Sequence, residues 1–272
     1  MDRFTDGVSP RLRYVVSGPL DGEPVLLSHS LGTRLELWDA LAATLEPHYC
    51  VVRYDTRGHG ESDVPTGEYS IDDLGRDAVA VLDAAGVTDA HMIGISLGGL
   101  TAMWLGINAP SRVRSLVVAN SAARVGTPGR WEERIAMVRD RGLGPVSDMT
   151  MGGWFTPEFA ERDPAAVDRC RQMIADCDPA GYIGCCAALR EADLRPGLPT
   201  IAAPTIVLAG ERDPSTTVAD ASQVAAAIAG SRLLTLPSAH MSVIEFPEDF
   251  ARIVAGHCGG RDLPIRSSGS PA

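Results

Sequence analysis

The stretch Ala90-His91-Met92-Ile93-Gly94-Ile95-Ser96-Leu97-Gly98-Gly99-Leu100-Thr101 decides the fold. Ala90–Ile95 is a short apolar run that predicts a buried strand, and Leu97–Asn108 reads as a helix stopped before Pro110. Between them Gly94-Ile95-Ser96-Leu97-Gly98 fits G-x-S-x-G. Alone the pentapeptide is common. Set where a strand turns sharply into a helix, it predicts a serine held in a strained backbone conformation at the carboxyl edge of a sheet. Side chains two positions either side would collide in such a turn, which explains glycine at both. The helix start supplies positive potential for a developing negative charge. Ser96 is therefore the candidate nucleophile.

Outward from this turn, strand and helix signals alternate. Arg11–Ser17, Pro24–Ser28, Cys50–Tyr54 and Val113–Ala119 read as strands, and Leu37–Glu46 as a helix. A further helix starts at Ser70 with Asp73 behind it and runs to about Ala85, where Gly86 ends it. From Ala123 to Leu194 the rhythm stops: Trp131–Arg141, Pro164–Ala175 and Ala180–Ala192 predict helices, with no strand between. It resumes at Pro204–Gly210, Val218–Ala229, Arg232–Leu236 and Ser242–His257. The expected fold is α/β: a mostly parallel twisted sheet with helices on both faces and an inserted helical lid. The core would comprise residues 1–122 and 195–258, the lid 123–194, and a mobile Gly/Ser/Pro/Arg-rich tail 259–272.

A serine hydroxyl is a poor nucleophile at neutral pH and needs a base. Where a G-x-S-x-G turn carries the nucleophile, acid and base follow it in that order along the chain. Only His240 and His257 follow Ser96. His240 lies in a loop just after a strand, where sheet-edge loops carry chemistry; His257 ends a helix, the ordinary place for a cation. The acid should follow a late strand, and Glu211-Arg212-Asp213-Pro214 does. Asp213 is preferred over Glu211 because it lies deeper in the turn, before a proline that keeps the chain extended. Two backbone N–H groups must face the developing oxyanion. One belongs to Leu97, after the nucleophile, and the other to the loop Ser28-His29-Ser30-Leu31-Gly32, where Leu31 is the candidate. His29 precedes Ser96 and reads as structural.

Bulk properties narrow the remaining classes. The 272 residues suit one α/β domain with an insertion. With 24 Lys+Arg against 35 Asp+Glu the net charge is −11, and no basic stripe exists to neutralise phosphates, so a nucleic-acid role is disfavoured. Cys50, Cys170, Cys177, Cys185, Cys186 and Cys258 match no zinc spacing; no metal and no cofactor are expected, and the thiols read as buried and free. Met1–Gly7 has no apolar segment of a signal peptide and no stretch is long enough to span a bilayer, so a cytoplasmic protein off the membrane is expected. The oligomeric state stays open.

The run Tyr54-Asp55-Thr56-Arg57-Gly58-His59-Gly60-Glu61-Ser62, with Gly94–Gly99 and Ala239-His240-Met241-Ser242, resembles the α/β-hydrolase superfamily. Leu27–Thr33, Trp131-Glu132-Glu133-Arg134-Ile135, Trp154-Phe155-Thr156-Pro157 and Gly181–Arg190 are similar to the oxyanion segment and lid of 3-oxoadipate enol-lactonases. The resemblance runs from about Tyr14 to Pro247. It implies a carboxylic ester hydrolase opening an unsaturated lactone that bears an acetate arm, in aromatic-compound catabolism. A carbon–carbon hydrolase or general carboxylesterase would use the same triad, and a non-catalytic lactone receptor the same fold. Trp154 is expected to line the pocket from the lid, as a large ring with one donor. The substrate carboxylate calls for a guanidinium. Among the lid arginines Arg134, three residues after Trp131, shares its helix face and is the candidate anchor; the competing reading pairs it with Glu133 or Asp140.

Overall fold

The computed structural model describes residues 2–7 and 9–259. Strand β1 (Arg3–Phe4) pairs antiparallel with β2 (Arg13–Ser17), which pairs antiparallel with β4 (Tyr49–Tyr54); β3 (Glu23–Ser28) lies on the other side of β4, parallel to it. The remaining strands are parallel: β5 (Ala90–Ile95), β6 (Val113–Ala119), β7 (Thr205–Gly210) and β8 (Arg232–Leu236). The spatial order is β1-β2-β4-β3-β5-β6-β7-β8, an α/β-hydrolase sheet. Chain order reverses between β3 and β5, the switch point where the crevice at the carboxyl ends of an open sheet takes ligands. Val25–Leu27, Val51, Val52, Val117, Val118, Val207 and Leu208 are all buried, so the strands read as continuous apolar runs because both sheet faces are covered.

The helices between the early strands are α1 (Asp39–Leu45), α2 (Ile71–Ala84) and α3 (Leu97–Asn108). Helix α2 has the expected start: the Ser70 side chain accepts from Asp73 N–H while the Asp73 carboxylate accepts from Ser70 N–H. Five helices separate β6 from β7: α4 (Pro128–Arg141), α5 (Gly144–Trp154), α6 (Pro157–Arg162), α7 (Pro164–Ala175) and α8 (Pro179–Glu191). After β7 come α9 (Val218–Ala227), α10 (Ser242–Glu245) and α11 (Pro247–Gly259). The ends of the helical insertion are tied by Leu194 N–H donating to Ala123 O at 2.8 Å.

Two cap helices, α5 and α6, were not legible. Helix α5 carries three glycines in its eleven residues, and α6 is a short piece opened by Thr156-Pro157. The final predicted helix is split at Phe246, because Pro247 lacks the N–H that would continue it. Strand β1 is too short to show a period. Residues 260–272 of the expected tail lie outside the described residues.

Helix α8 seats the cap on the core through backbone contact. A Cβ on Gly181 would lie 2.1 Å from Gly58 O, and one on Gly184 2.6 Å from the Tyr69 ring. Tyr69 N–H donates to Gly184 O at 3.2 Å. These close approaches give a physical reason for the glycine spacing in the Gly181–Arg190 string.

Candidate active site

The carboxyl edge lays out the chemistry in the order of the strands. Leu31 follows β3, Ser96 follows β5, Asn120 follows β6, Asp213 follows β7 and His240 follows β8. Ser96 has φ 56° and ψ −116°, a left-handed strained conformation in a non-glycine residue. The turn is as tight as the motif requires. A Cβ on Gly94 would lie 2.0 Å from Gly98 O, and one on Gly98 1.9 Å from Ser28 O. Leu97 opens α3, so its N–H has no partner within the helix. Among the described residues no acceptor takes the Leu31 N–H, while the next N–H along the chain is held: Gly32 donates to His59 Nε2 at 2.9 Å.

His240 Nδ1 lies 2.7 Å from Asp213 Oδ2. That bond uses Nδ1 as donor and leaves Nε2 as the ring nitrogen free to accept a proton. Asp213 also accepts from the N–H groups of Ser215 (2.8 Å) and Thr216 (3.1 Å), from the Thr216 hydroxyl (2.7 Å), and from Asn120 Nδ2 (3.1 Å). Burial pushes its carboxyl upward, but the His240 charge and these hydrogen bonds outweigh burial and hold it at about 2. Glu211, the other candidate acid, is exposed and accepts from the Thr235 hydroxyl. His257 sits on α11 beside Pro204 O, away from this edge.

Asn120 was missed. It ends β6 at φ 43°, donates to both Asp213 and Ala239 O, and accepts from the Ser242 hydroxyl at 2.5 Å. The residue type is the one sequence signal available, since asparagine tolerates the left-handed region better than most residues.

A cavity of about 380 Å³ opens over Ser96 and His240, bounded by Leu31, Trp154, Arg134 and Tyr182 among others. Ser96 and His240 face it without a direct hydrogen bond, an arrangement common before substrate arrives. Trp154 stacks on His240, with ring centroids 6.2 Å apart and planes 30° from parallel. Arg134 Nη1 donates to the Thr150 hydroxyl and to the Tyr182 hydroxyl, both at 3.2 Å. Among the described residues it has no carboxylate partner: neither Glu133 nor Asp140 pairs with it. Tyr182, unmarked by the sequence, is buried; burial raises its hydroxyl well above the ordinary range and keeps it a protonated donor. No group of three or more His, Cys, Asp or Glu side chains among the described residues could hold a metal. No helix among them is long and apolar enough to cross a membrane.

His29 and His59 are structural, and their chemistry is specific. Each Nε2 accepts a backbone N–H, from Thr56 and Gly32, and each Nδ1 faces a carbonyl, of Ser30 and Arg57. Both rings are therefore neutral with the proton on Nδ1. Burial lowers His29 to about 4; burial, together with the neighbouring His29, lowers His59 to about 3. Unfolded, both would titrate near 6.5. Between pH 6.5 and 4 the unfolded chain thus binds two protons that the folded chain refuses, so these rings cost stability as pH falls through that window. Asp213 adds nothing there, since its contribution is lost only below the ordinary carboxylate range, towards pH 2. Urea unfolding at pH 7 and pH 5 should show a loss on the order of 3 kcal/mol from the two rings. His59→Gln should flatten the slope by about one proton; an unchanged slope would mean the ring titrates normally in the folded protein.

A strained serine between strand and helix, a carboxylate-bound histidine and a helical cap over the parallel sheet together define an α/β hydrolase. The family model for the alpha/beta hydrolase fold matches residues 23–247. The chain is 42% identical to 3-oxoadipate enol-lactonase 2 of Acinetobacter baylyi, covering 89% of this chain and 91% of that one. It is 39% identical to 3-oxoadipate enol-lactonase 1 of the same organism, over 93% and 95%. The crystal structure of the enol-lactonase from Burkholderia xenovorans superposes with a TM-score of 0.92 at 35% identity, covering 94% of this chain and 99% of that one. The chain belongs to the 3-oxoadipate enol-lactonase family of α/β hydrolases.

Proposed function

We propose that this protein is a carboxylic ester hydrolase that opens 3-oxoadipate enol-lactone to 3-oxoadipate, with Ser96 as nucleophile, His240 as base and Asp213 as the orienting acid. The observation that carries the substrate is the cavity itself: it holds the serine and histidine near one wall and, on the cap side, a guanidinium with no carboxylate partner beside a buried phenol. An anionic arm satisfies both, and a lactone ring between them reaches the serine.

In this mechanism His240 Nε2 takes the Ser96 proton as the hydroxyl attacks the lactone carbonyl. The N–H groups of Leu31 and Leu97 hold the oxyanion. The acyl C–O bond then breaks and expels the ring oxygen as an enolate, which takes the imidazolium proton and becomes the ketone. Water, deprotonated by His240, cleaves the acyl-enzyme, and the product leaves with Ser96 restored. Trp154 covers the ring of the base and roofs the cavity. No step calls for a metal or cofactor. A cytoplasmic setting is supported by six cysteines that are all buried free thiols.

Steady-state turnover of freshly generated enol-lactone tests the reading; absence of turnover with active, folded protein overturns it. The anchor has its own test. Arg134→Ala should lower kcat/KM for the anionic lactone about tenfold or more, the scale of a charge-assisted hydrogen bond, and leave a neutral lactone of similar size within about twofold. Tyr182→Phe should give a smaller loss of the same selectivity. Equal losses on both lactones, or none on either, would remove the anchor role.

A further inference from the structure

His240 sits in the loop between β8 and α10, and the residues on both sides of it are hydrogen-bonded towards the cap. Met241 N–H donates to Trp154 O at 3.0 Å. Ala239 N–H donates to Glu245 Oε1 at 2.7 Å, and the other oxygen of that carboxylate accepts from Thr156 N–H at 3.2 Å and from the Thr156 hydroxyl at 2.5 Å. Glu245 is 3% exposed. No cation pairs with it among the described residues; its partners are the three donors above, two from the cap and one from the loop of the base. A carboxylate taken out of water without a counter-charge is costly, and an apolar side chain would fill the same space more cheaply. What an apolar side chain could not do is accept from two separate segments at once.

We propose that Glu245 is a positioning residue that couples the cap to the catalytic base: segment 154–156 and the His240 loop move as one body, so the imidazole is aligned on Ser96 only while that cap segment is seated. Trp154 belongs to the same body, stacked on the ring it covers. The junction of α5 and α6 is thus a fixed attachment. Arg130, Glu133 and the half-exposed Met149 also line the cavity and are outside this body.

The test uses a neutral activated ester, 4-nitrophenyl acetate, so that it stands apart from the lactone reading. Glu245→Gln keeps the size but turns one acceptor into a donor, which must break either the Ala239 or the Thr156 side. The expected result on the full chain is a kcat at least tenfold lower with KM within threefold. Labelling of Ser96 by a fluorophosphonate should slow by a similar factor. Thr156→Val removes the hydroxyl bond on the cap side, along with the acceptor that the same hydroxyl offers Phe159 N–H at the start of α6, and leaves the base loop untouched; kcat of the folded protein should fall severalfold, again without a change in KM. Glu245→Ala should be no milder than Glu245→Gln. Melting temperatures separate stability from alignment. If both variants melt lower but the folded fraction keeps wild-type kcat, the carboxylate is a structural strut and the proposal falls. It falls as well if Thr156→Val is silent on kcat, because the carboxylate would then serve the base loop alone. Should Glu245→Gln not fold, Thr156→Val decides by itself. Loss of ester turnover in these variants sustains the coupling even if the wild-type protein leaves the enol-lactone untouched.

Discussion

Ser96→Ala is expected to lower kcat by three or more orders of magnitude while leaving the melting temperature within a few degrees of wild type. The loss follows from the attack itself, because without the hydroxyl no acyl-enzyme forms, and residual turnover can come only from water activated by His240 near the oxyanion donors. The fold should survive for a local reason. The strain at φ 56° is set by the Gly94 and Gly98 contacts, not by the serine side chain, and alanine meets the same backbone cost. His240→Ala should fall to a similar floor, since nucleophile and base act as a unit, and combining the two changes should cost little more than either. A folded Ser96→Ala protein with near wild-type kcat would remove the assignment of the nucleophile.

What could be read from the chain divides along a physical line. Backbone geometry that only glycine permits was legible: Gly94 and Gly98 announce the turn at Ser96, and the structure shows the collisions they avoid. So was the sheet, because strands covered on both faces must be apolar throughout, as Val117, Val118, Val207 and Leu208 are. The cap was legible only as a region where strands stop. Helix α5 is opaque because its glycines break the period and its apolar and polar residues do not sort by burial: Met149 is half-exposed while Ser147 is buried. Long-range polar ties were invisible for a different reason. Asn120 and Ser242 are 122 residues apart, and Thr156 and Glu245 are 89 apart; their roles exist only once three loops meet. Arg134 could be singled out by its helical spacing from Trp131, but its partner Tyr182 lies on another helix, 48 residues on.

Asp213→Asn is expected to lower kcat by about three to four orders of magnitude, a larger effect than loss of one charge at a distance would give. The hydrogen-bond inventory around this side chain explains why. One oxygen accepts from the Ser215 and Thr216 N–H groups, and an amide oxygen placed there preserves both bonds. That choice turns the amide nitrogen toward the other three partners, His240 Nδ1, the Thr216 hydroxyl and Asn120 Nδ2. Asn120 Nδ2 can only donate, so two donors would face each other at the distance of a hydrogen bond. His240 would meet the new donor by carrying its proton on Nε2, the tautomer that cannot accept from Ser96. Flipping the amide restores an acceptor for the imidazole but sets its nitrogen against two backbone N–H groups, which is no better. Thr216 can rotate its hydroxyl to accept; Asn120 could do so only by giving up Ser242. Relieving that clash with Asn120→Asp, which tolerates the left-handed backbone and still accepts from Ser242, should in the Asp213→Asn background therefore recover stability but not kcat, since the imidazole still lacks its acceptor. Melting curves and single-turnover rates on the same preparations separate the two quantities. Recovery of the rate in the double variant would show that the defect in Asp213→Asn is crowding around the amide, and that the acid does not set the tautomer of His240.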